Sequence, residues 1–217
     1  MRRLFVFDMD GTLLPETTAS LEIAKATGTV PELTRMEADF KRGTLDAPLF
    51  AERAFELWRH VEGERYRGIF EDTVKIGNIR KTLAAIRSGG DQSCLLTLSP
   101  DLYAEHFYDY GFDFVIASRF PRGRNGRIEK GDILDARRKP ELVKELCGSI
   151  GVSMENTVAF GDGISDLPLF EAAGISVFVN ADPDVRGKAD IHYEGDDLYE
   201  AYSAAAAYSA AMDRTGR

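Results

Sequence analysis

The chain has 217 residues, of which 44% are hydrophobic and 29% are charged, as in an ordinary globular protein. Its net charge of −9 argues against a general nucleic-acid or anionic-membrane surface, although a bound metal ion can reverse the field inside one site. No apolar run approaches the ~20 residues of a membrane span, and no signal peptide is recognisable, so we expect a cytoplasmic protein. Cys94 and Cys147 are far apart in sequence and are expected to be buried thiols.

The first segment is a short apolar strand that ends in two carboxylates. Residues 4–7 (LFVF) are rich in β-forming residues and predict a buried strand. Asp8 and Asp10 follow at once, and Gly11 and Thr12 complete the sequence DMDGT. A solvated turn capped by Asp side chains would explain the pattern. However, carboxylates at the tip of a buried strand are costly, which favours a cation, a set of hydrogen-bond donors or chemistry.

The next segment, residues 15–77, reads as helical and contains no convincing strand. Helices are predicted at residues 18–27, 31–43 and 47–60, with a shorter one around 64–72. We therefore predict an inserted helical cap domain at 15–77 and a core domain formed by residues 1–14 and 78–217.

From Asn78 onward, predicted helices and strands alternate. Strands are expected at residues 94–98, 112–118, 156–160, 175–179 and 191–193, with helices through 79–86, 101–110, 137–150, 165–173 and 197–212. This alternation predicts an α/β fold with a doubly wound, mainly parallel sheet. Ligands bind beyond the carboxyl ends of the strands in such sheets.

Reactive side chains stand at that edge of the predicted sheet. They are Asp8 and Asp10 after the first strand, Ser99 after the second, Asp162 and Asp166 after the fourth, and Lys139 at the start of the preceding helix. The carboxylates are hard oxygen ligands of the kind that Mg²⁺ prefers. The Ser hydroxyl and the Lys ammonium suit phosphoryl oxygens, and backbone N–H groups of Met9, Asp10 and Gly11 can form a nest around a phosphate.

These segments resemble the motifs of the haloacid dehalogenase-like (HAD) hydrolases. DMDGT is similar to the family's DxDx[TV], VAFGDGISD to its GDGxxD motif, and RRKPELVKEL to its K-[AP]-x-x-[VL] segment. The motifs occur in the family's order, and the resemblance covers Arg2 to about Ala189. A helical cap after the first strand resembles the phosphoserine phosphatase-like branch, which implies a Rossmann-like core.

The resemblance implies a Mg²⁺-dependent phosphomonoesterase that acts on a small phosphorylated metabolite. Asp8 would be the nucleophile that forms an aspartyl-phosphate, and Asp10 the general acid and base. Ser99 and Lys139 would assist, and Met9, Gly11 and Thr12 would contact the substrate. The implied metal ligands are Asp8, the backbone carbonyl of Asp10, Asp162 and Asp166. A phosphomutase shares these motifs, and a non-catalytic phospholigand-binding protein is a further alternative.

The cap departs from the pattern of phosphoserine phosphatases. Glu16 and Arg53 are the candidates for the cap Glu and Arg that read the substrate, but Thr17 and Ala54 stand closer to the expected register. Pro100 replaces a glycine that would follow Ser99. L-Phosphoserine is therefore one candidate substrate among several.

A basic segment follows the third predicted strand, with a hairpin turn expected at Asn125-Gly126. Its arginines are Arg119, Arg122, Arg124 and Arg127. Phe120 is the only aromatic residue among them and the net charge is −9, so we expect a solvated flap and no nucleic-acid partner. The protein is expected to be a monomer or a homodimer without a membrane partner.

Overall fold

The structure, a computed structural model, describes residues 2–121, 127, 129, 132–181, 183–185 and 187–215. One sheet contains six parallel strands: β1 (Leu4–Phe7), β2 (Gln92–Pro100), β3 (Phe114–Ser118), β4 (Thr157–Gly161), β5 (Ile175–Val179) and β6 (Ile191–Tyr193). The strand order is β3-β2-β1-β4-β5-β6, with helices around the sheet. The predicted α/β fold with a parallel sheet is confirmed.

The central position of β1 brings the predicted reactive residues together. Phe7 at its end pairs with Leu95 of β2 on one side and with Phe160 of β4 on the other. The rings of Phe7 and Phe160 stack with centroids 4.5 Å apart, which fixes the two strands in a dry core. The N–H of Asp8 donates to the carbonyl of Phe160, at 2.9 Å. Asp8 therefore lies directly beside the end of β4.

The segment that follows β1, residues 15–76, contains four helices: α1 (Ala19–Thr27), α2 (Val30–Lys41), α3 (Ala47–Trp58) and α4 (Gly63–Asp72). Thr18 caps α1 through its hydroxyl, and Gly28 ends it in the left-handed region with φ 72°. Residues 15–76 are all described and contain no extended strand segment. The helical character of this segment is as predicted, whereas the domain limits stay a prediction.

Among the described residues, five further α-helices flank the sheet: α5 (Ile79–Ser88), α6 (Asp101–Ala104), α7 (Lys139–Ile150), α8 (Leu167–Ala172) and α9 (Leu198–Thr215). Two predicted helices are shorter than expected. The helix after Ser99 becomes a 3₁₀ helix at Glu105–Tyr110, and the helix predicted at 165–173 starts with a 3₁₀ turn at Ile164–Asp166. The predicted Asn125-Gly126 hairpin lies outside the described residues, as do Arg122 and Arg124.

Among the helices of the described residues, none has both the length and the apolar character that crossing a bilayer requires.

Candidate active site

Three carboxylates converge beyond the ends of β1 and β4. One oxygen from each of Asp8, Asp162 and Asp166 lies within 4.8 Å of the others. Asp8 and Asp166 are buried and Asp162 is partly exposed. Burial and the neighbouring carboxylates of Asp166 and Asp10 raise the pKa of Asp162 to about 7. Such a concentration of oxygen donors and negative charge fits a divalent cation such as Mg²⁺.

Lys139 joins two of these carboxylates from the first turn of α7. Its Nζ donates to Oδ1 of Asp8 and to Oδ1 of Asp166, each at 2.7 Å, and its side chain is only 1% exposed. Burial lowers the pKa of Lys139, but the two carboxylates outweigh burial and raise it. Burial has the opposite effect on a carboxyl group: it raises the pKa of Asp8, and the positive charge of Lys139 opposes that rise. Lys139 therefore acts on the carboxylates as a fixed buried cation.

Asp10 is held by a separate pair of donors. Its Oδ1 accepts a hydrogen bond from the backbone N–H of Ala19 at 2.7 Å, and its Oδ2 accepts one from Oγ of Ser99 at 2.5 Å. Burial raises the pKa of Asp10, while the bonds from Ser99 and Ala19 lower it. The carboxyl group of Asp10 is thus oriented by the end of β2 and by the start of α1.

Two glycines allow the carboxylates to approach the backbone. A Cβ on Gly161 would lie 2.2 Å from Cγ of Asp166, and one on Gly11 would lie 2.0 Å from Oδ2 of Asp162. Gly11 also has φ +79°, which side-chain-bearing residues rarely adopt. Asp166 occupies the space over Gly161 because its Oδ2 accepts the N–H groups of Asp162 and Gly163, at 3.1 and 3.2 Å.

Replacing Gly161 by alanine is expected to destabilise the protein by about 1–3 kcal/mol, because the new Cβ must displace the Asp166 carboxyl group. Thermal or urea unfolding measures the change. The control is Gly148→Ala on α7, where a Cβ meets nothing within 4 Å, and which should leave stability unchanged or raise it by up to about 1 kcal/mol. Equal stability of the two variants would contradict the close approach at Gly161.

The loop between the two aspartates and α1 contains the predicted phosphate contacts. The Gly11 N–H already donates to the carbonyls of Leu14 and Thr17, at 3.0 and 3.3 Å. Of the three N–H groups predicted to form a nest, those of Met9 and Asp10 therefore remain without an acceptor within the described residues.

Thr12 and the Met9 side chain, two further predicted contacts in this loop, are fully buried. Among the described atoms, the Thr12 hydroxyl has no hydrogen-bond partner. A buried hydroxyl without a partner can form a hydrogen bond with a group that binds beside it.

The cap candidates lie at the surface. Glu16 is exposed and has φ 61°, and Arg53 is exposed on α3 beside a cavity that none of the clustered aspartates lines. Thr17, the alternative to Glu16, donates its hydroxyl to Oε1 of Glu22 at 2.5 Å. The substrate contacts of Glu16 and Arg53 stay predictions.

Sequence reasoning did not identify the Ala19 N–H as a partner of Asp10. A backbone donor has no residue-type signal, although the N-cap Thr18 marks where such donors begin. Sequence reasoning also missed the space requirement at Gly161, although the glycine in the GDG sequence is a usable signal for close backbone approach.

Comparisons with known proteins agree on one family of hydrolases. The model of the haloacid dehalogenase-like hydrolase family matches residues 5–171. A curated phosphoserine phosphatase of Methanocaldococcus jannaschii is 26% identical over 211 residues, which cover 92% of this chain and 95% of that protein. A phosphoserine phosphatase of Streptomyces coelicolor is 31% identical over 205 residues, or 87% of this chain but only 46% of that protein.

Solved structures share the fold. A HAD family hydrolase of Salmonella enterica serovar Typhi superposes with a TM-score of 0.80 at 23% identity, over 92% of this chain and 70% of that one. A substrate-bound phosphoserine phosphatase superposes with a TM-score of 0.75 at 23% identity, over 92% and 96% of the two chains. With a family match over more than half of its length, the chain belongs to the haloacid dehalogenase-like hydrolases and is phosphoserine phosphatase-like among them.

Proposed function

We propose that this protein is a Mg²⁺-dependent phosphomonoesterase that hydrolyses a small phosphorylated metabolite through an aspartyl-phosphate on Asp8. The observation that carries the proposal is the placement of Asp8. Its carboxylate bonds to a buried lysine, shares a cluster with Asp162 and Asp166, and lies two residues before a second oriented carboxyl group. The curated relatives, which are phosphoserine phosphatases, support the same chemistry.

The residues that would hold the ion are Asp8, Asp162 and Asp166, with the backbone carbonyl of Asp10. Their oxygen atoms match the preference of Mg²⁺, and three of the side chains already lie together. When bound, Mg²⁺ neutralises charge that would otherwise make the carboxylates repel a phosphate dianion.

In the first half-reaction, a carboxylate oxygen of Asp8 attacks phosphorus and the bond from phosphorus to the leaving oxygen breaks. Asp10 donates its proton to that oxygen, so the product leaves as a neutral alcohol. The raised pKa of Asp10 favours the protonated form that this step requires. The free N–H groups of Met9 and Asp10 are donors for the phosphoryl oxygens, and the Ser99 hydroxyl joins them when it exchanges its bond to Asp10 for one to the substrate.

In the second half-reaction, the Asp10 carboxylate accepts a proton from water, whose oxygen attacks phosphorus. The bond between phosphorus and Asp8 breaks, which releases inorganic phosphate and restores the Asp8 carboxylate. Lys139 keeps the side chain of Asp8 in place through both steps because its Nζ is also anchored to Asp166.

Replacing Asp10 by asparagine is expected to lower kcat by about 10²–10⁴-fold, because the amide can neither donate the proton nor accept it from water. Steady-state kinetics with an alkyl phosphate measures the loss. With p-nitrophenyl phosphate, whose leaving group needs no proton, the formation of the aspartyl-phosphate should be far less affected than its hydrolysis. Hydrolysis of both substrates at the parent rate would contradict the role of Asp10.

The affinity for Mg²⁺ should rise with pH and level off above about pH 7. The metal-free Asp162 carboxyl has its pKa raised to about 7 by burial and by Asp166, so below that pH the cation must displace a proton. The dissociation constant should increase by about tenfold for each pH unit below that value. Titration calorimetry measures it, and Asp162→Asn should bind more weakly and with a smaller dependence on pH, since the raised pKa of Asp8 remains. Equal affinity of the parent at pH ~5 and ~8 would contradict the assignment.

The experiment that tests the proposal is a panel of phosphorylated metabolites assayed for phosphate release, with Mg²⁺ and with EDTA. The panel includes L-phosphoserine, sugar phosphates and phosphorylated alcohols without an amine. We expect Mg²⁺-dependent release from at least one of them, and none from the Asp8→Asn variant. Release that EDTA leaves unchanged, or that the variant retains, would contradict the proposal.

A further inference from the structure

Glu22 on α1 forms an ion pair that is more enclosed than the ion pairs on the next three helices. Its Oε1 accepts hydrogen bonds from Nζ of Lys25 at 2.7 Å and from the hydroxyl of Thr17 at 2.5 Å, and its side chain is only 19% exposed. Among the described residues, the acidic partners in the ion pairs within α2, α3 and α4 are between 35% and 65% exposed. They are Glu32, Asp39, Glu56 and Glu71.

The carboxylate of Glu22 lies near the end of α1 that holds Asp10. The N–H of Ala19, the first residue of α1, donates to Oδ1 of Asp10 at 2.7 Å. Glu22 is three residues further along the helix, and long helical side chains lean back over the preceding turn towards the N-terminus. The bond from Thr17, which precedes the helix, fixes the Glu22 carboxylate in that direction.

Thr17 and Tyr103 connect Glu22 to the aspartate loop. The carbonyl of Thr17 accepts the Gly11 N–H at 3.3 Å, while its hydroxyl donates to Glu22. Tyr103 is fully buried. Burial raises the pKa of its hydroxyl, and the negative charges of Asp10 and Glu22 add to that rise. Both carboxylates therefore lie close to the same buried side chain.

Glu22 has one unused acceptor atom, but its charge is compensated. Within the described part of the chain, its Oε2 has no hydrogen-bond partner. Burial raises the pKa of Glu22, but the bonds from Lys25 and Thr17 outweigh burial and lower it, so the carboxyl group is ionised at neutral pH. An ammonium group brought to Oε2 would also meet the positive charge of Lys25, whereas a hydroxyl group carries no charge to be repelled.

We propose that Oε2 of Glu22 accepts a hydrogen bond from a hydroxyl group of the substrate, close to the ester oxygen. The inference rests on the phosphatase activity proposed above, in which Asp10 protonates that oxygen. Glu22 lies one helical turn from the N–H that holds Asp10, so a hydroxyl on a neighbouring carbon can face Glu22 while the ester oxygen faces Asp10. The preferred substrates are then phosphate monoesters of polyols, ahead of those of amino alcohols.

Three esters of nearly equal size test the proposal: n-propyl phosphate, 2-hydroxypropyl phosphate and 2-aminopropyl phosphate. We expect the wild-type kcat/KM to be about tenfold higher for the hydroxyl ester than for either of the others, because a hydrogen bond to a charged acceptor contributes at least that factor. In Glu22→Ala, the ratio of kcat/KM between the hydroxyl and propyl esters should fall to about one. A role of Glu22 in folding alone would lower both values together and keep the ratio.

Lys25→Met leaves the charge of Glu22 uncompensated. The amino ester should then gain about tenfold in kcat/KM relative to the hydroxyl ester, and Lys25→Arg should keep the wild-type ratio. The matched control is Glu71→Ala on α4, which removes the exposed acidic partner of Arg67 and should keep every wild-type ratio. Circular dichroism checks that each variant is folded.

Equal wild-type kcat/KM for the hydroxyl and propyl esters would overturn the proposal. A preference for the hydroxyl ester that Glu22→Ala retains would overturn it as well, and so would a wild-type preference for the amino ester. Hydrolysis of p-nitrophenyl phosphate with Mg²⁺ is measured in parallel and reports the phosphatase activity by itself. Release of phosphate from none of the four esters would refute that activity, and the role of Glu22 with it.

Discussion

Replacing Asp8 by asparagine is expected to reduce kcat by roughly 10⁵-fold or more, the scale of the loss when an enzyme's nucleophile is removed. The amide has nearly the shape of the carboxyl group but cannot attack phosphorus. Lys139 keeps its bond to Asp166, at 2.7 Å, and can still donate to the amide oxygen. The free energy of unfolding should therefore change by less than about 2 kcal/mol.

Steady-state phosphatase assays and urea unfolding measure the two quantities on the same preparation. Asp72→Asn, a change of an exposed carboxylate at the end of α4, is the matched control and should leave both quantities unchanged. If Asp8→Asn were folded and turned over at more than about 1% of the parent rate, Asp8 would not be the nucleophile.

Replacing Lys139 by methionine is expected to lower the free energy of unfolding by about 3–5 kcal/mol near pH 7.5, measured in EDTA. The side chain is 1% exposed and bonds two carboxylates, so its removal leaves Asp8 and Asp166 close together without a cation. Phosphatase activity should be lost in the same variant, because Asp8 is no longer held as a carboxylate.

The stability loss in Lys139→Met should shrink as the pH falls towards about 5. Without the lysine, the attraction that opposes burial is lost, so the pKa of the Asp8 carboxyl group in the folded state rises further above that in the unfolded state. The folded state then binds more protons, so stability rises as the pH falls. Lys144→Met, at an exposed position of the same helix, should change stability by less than about 0.5 kcal/mol. A similar small change in Lys139→Met would contradict the buried ion pairs.

The fold could be predicted because its signals are local. The apolar run before Asp8 and the alternation after Asn78 each follow from neighbouring residues, and β1, β4, β5 and β6 lie within a residue of their expected positions. The 3₁₀ turn at Ile164–Asp166, which replaces the first turn of the helix predicted at 165–173, could not be predicted from the sequence. This turn depends on Asp166 accepting N–H groups from Asp162 and Gly163, a contact that helix propensity does not contain.

In the candidate site, too, some features could be predicted from the sequence and others could not. Asp8, Asp162, Asp166 and Lys139 could be predicted together because parallel strands end at one edge of a sheet, and the structure brings them into contact. The bonds of Asp10 to Ser99 and to the Ala19 N–H depend on how α1 packs beside β2. Residue types alone do not determine that packing, and for the same reason they do not identify the substrate.

The most direct test of the account is to search for a phosphoryl group on Asp8. The Asp10→Asn variant is mixed with p-nitrophenyl phosphate and Mg²⁺, quenched in acid within one turnover, and digested for peptide mass spectrometry. We expect the mass of one phosphoryl group on the peptide with Asp8, and borohydride reduction should convert that residue to homoserine. Release of p-nitrophenol without a phosphoryl group on Asp8, or with the group on another residue, would contradict the proposed mechanism.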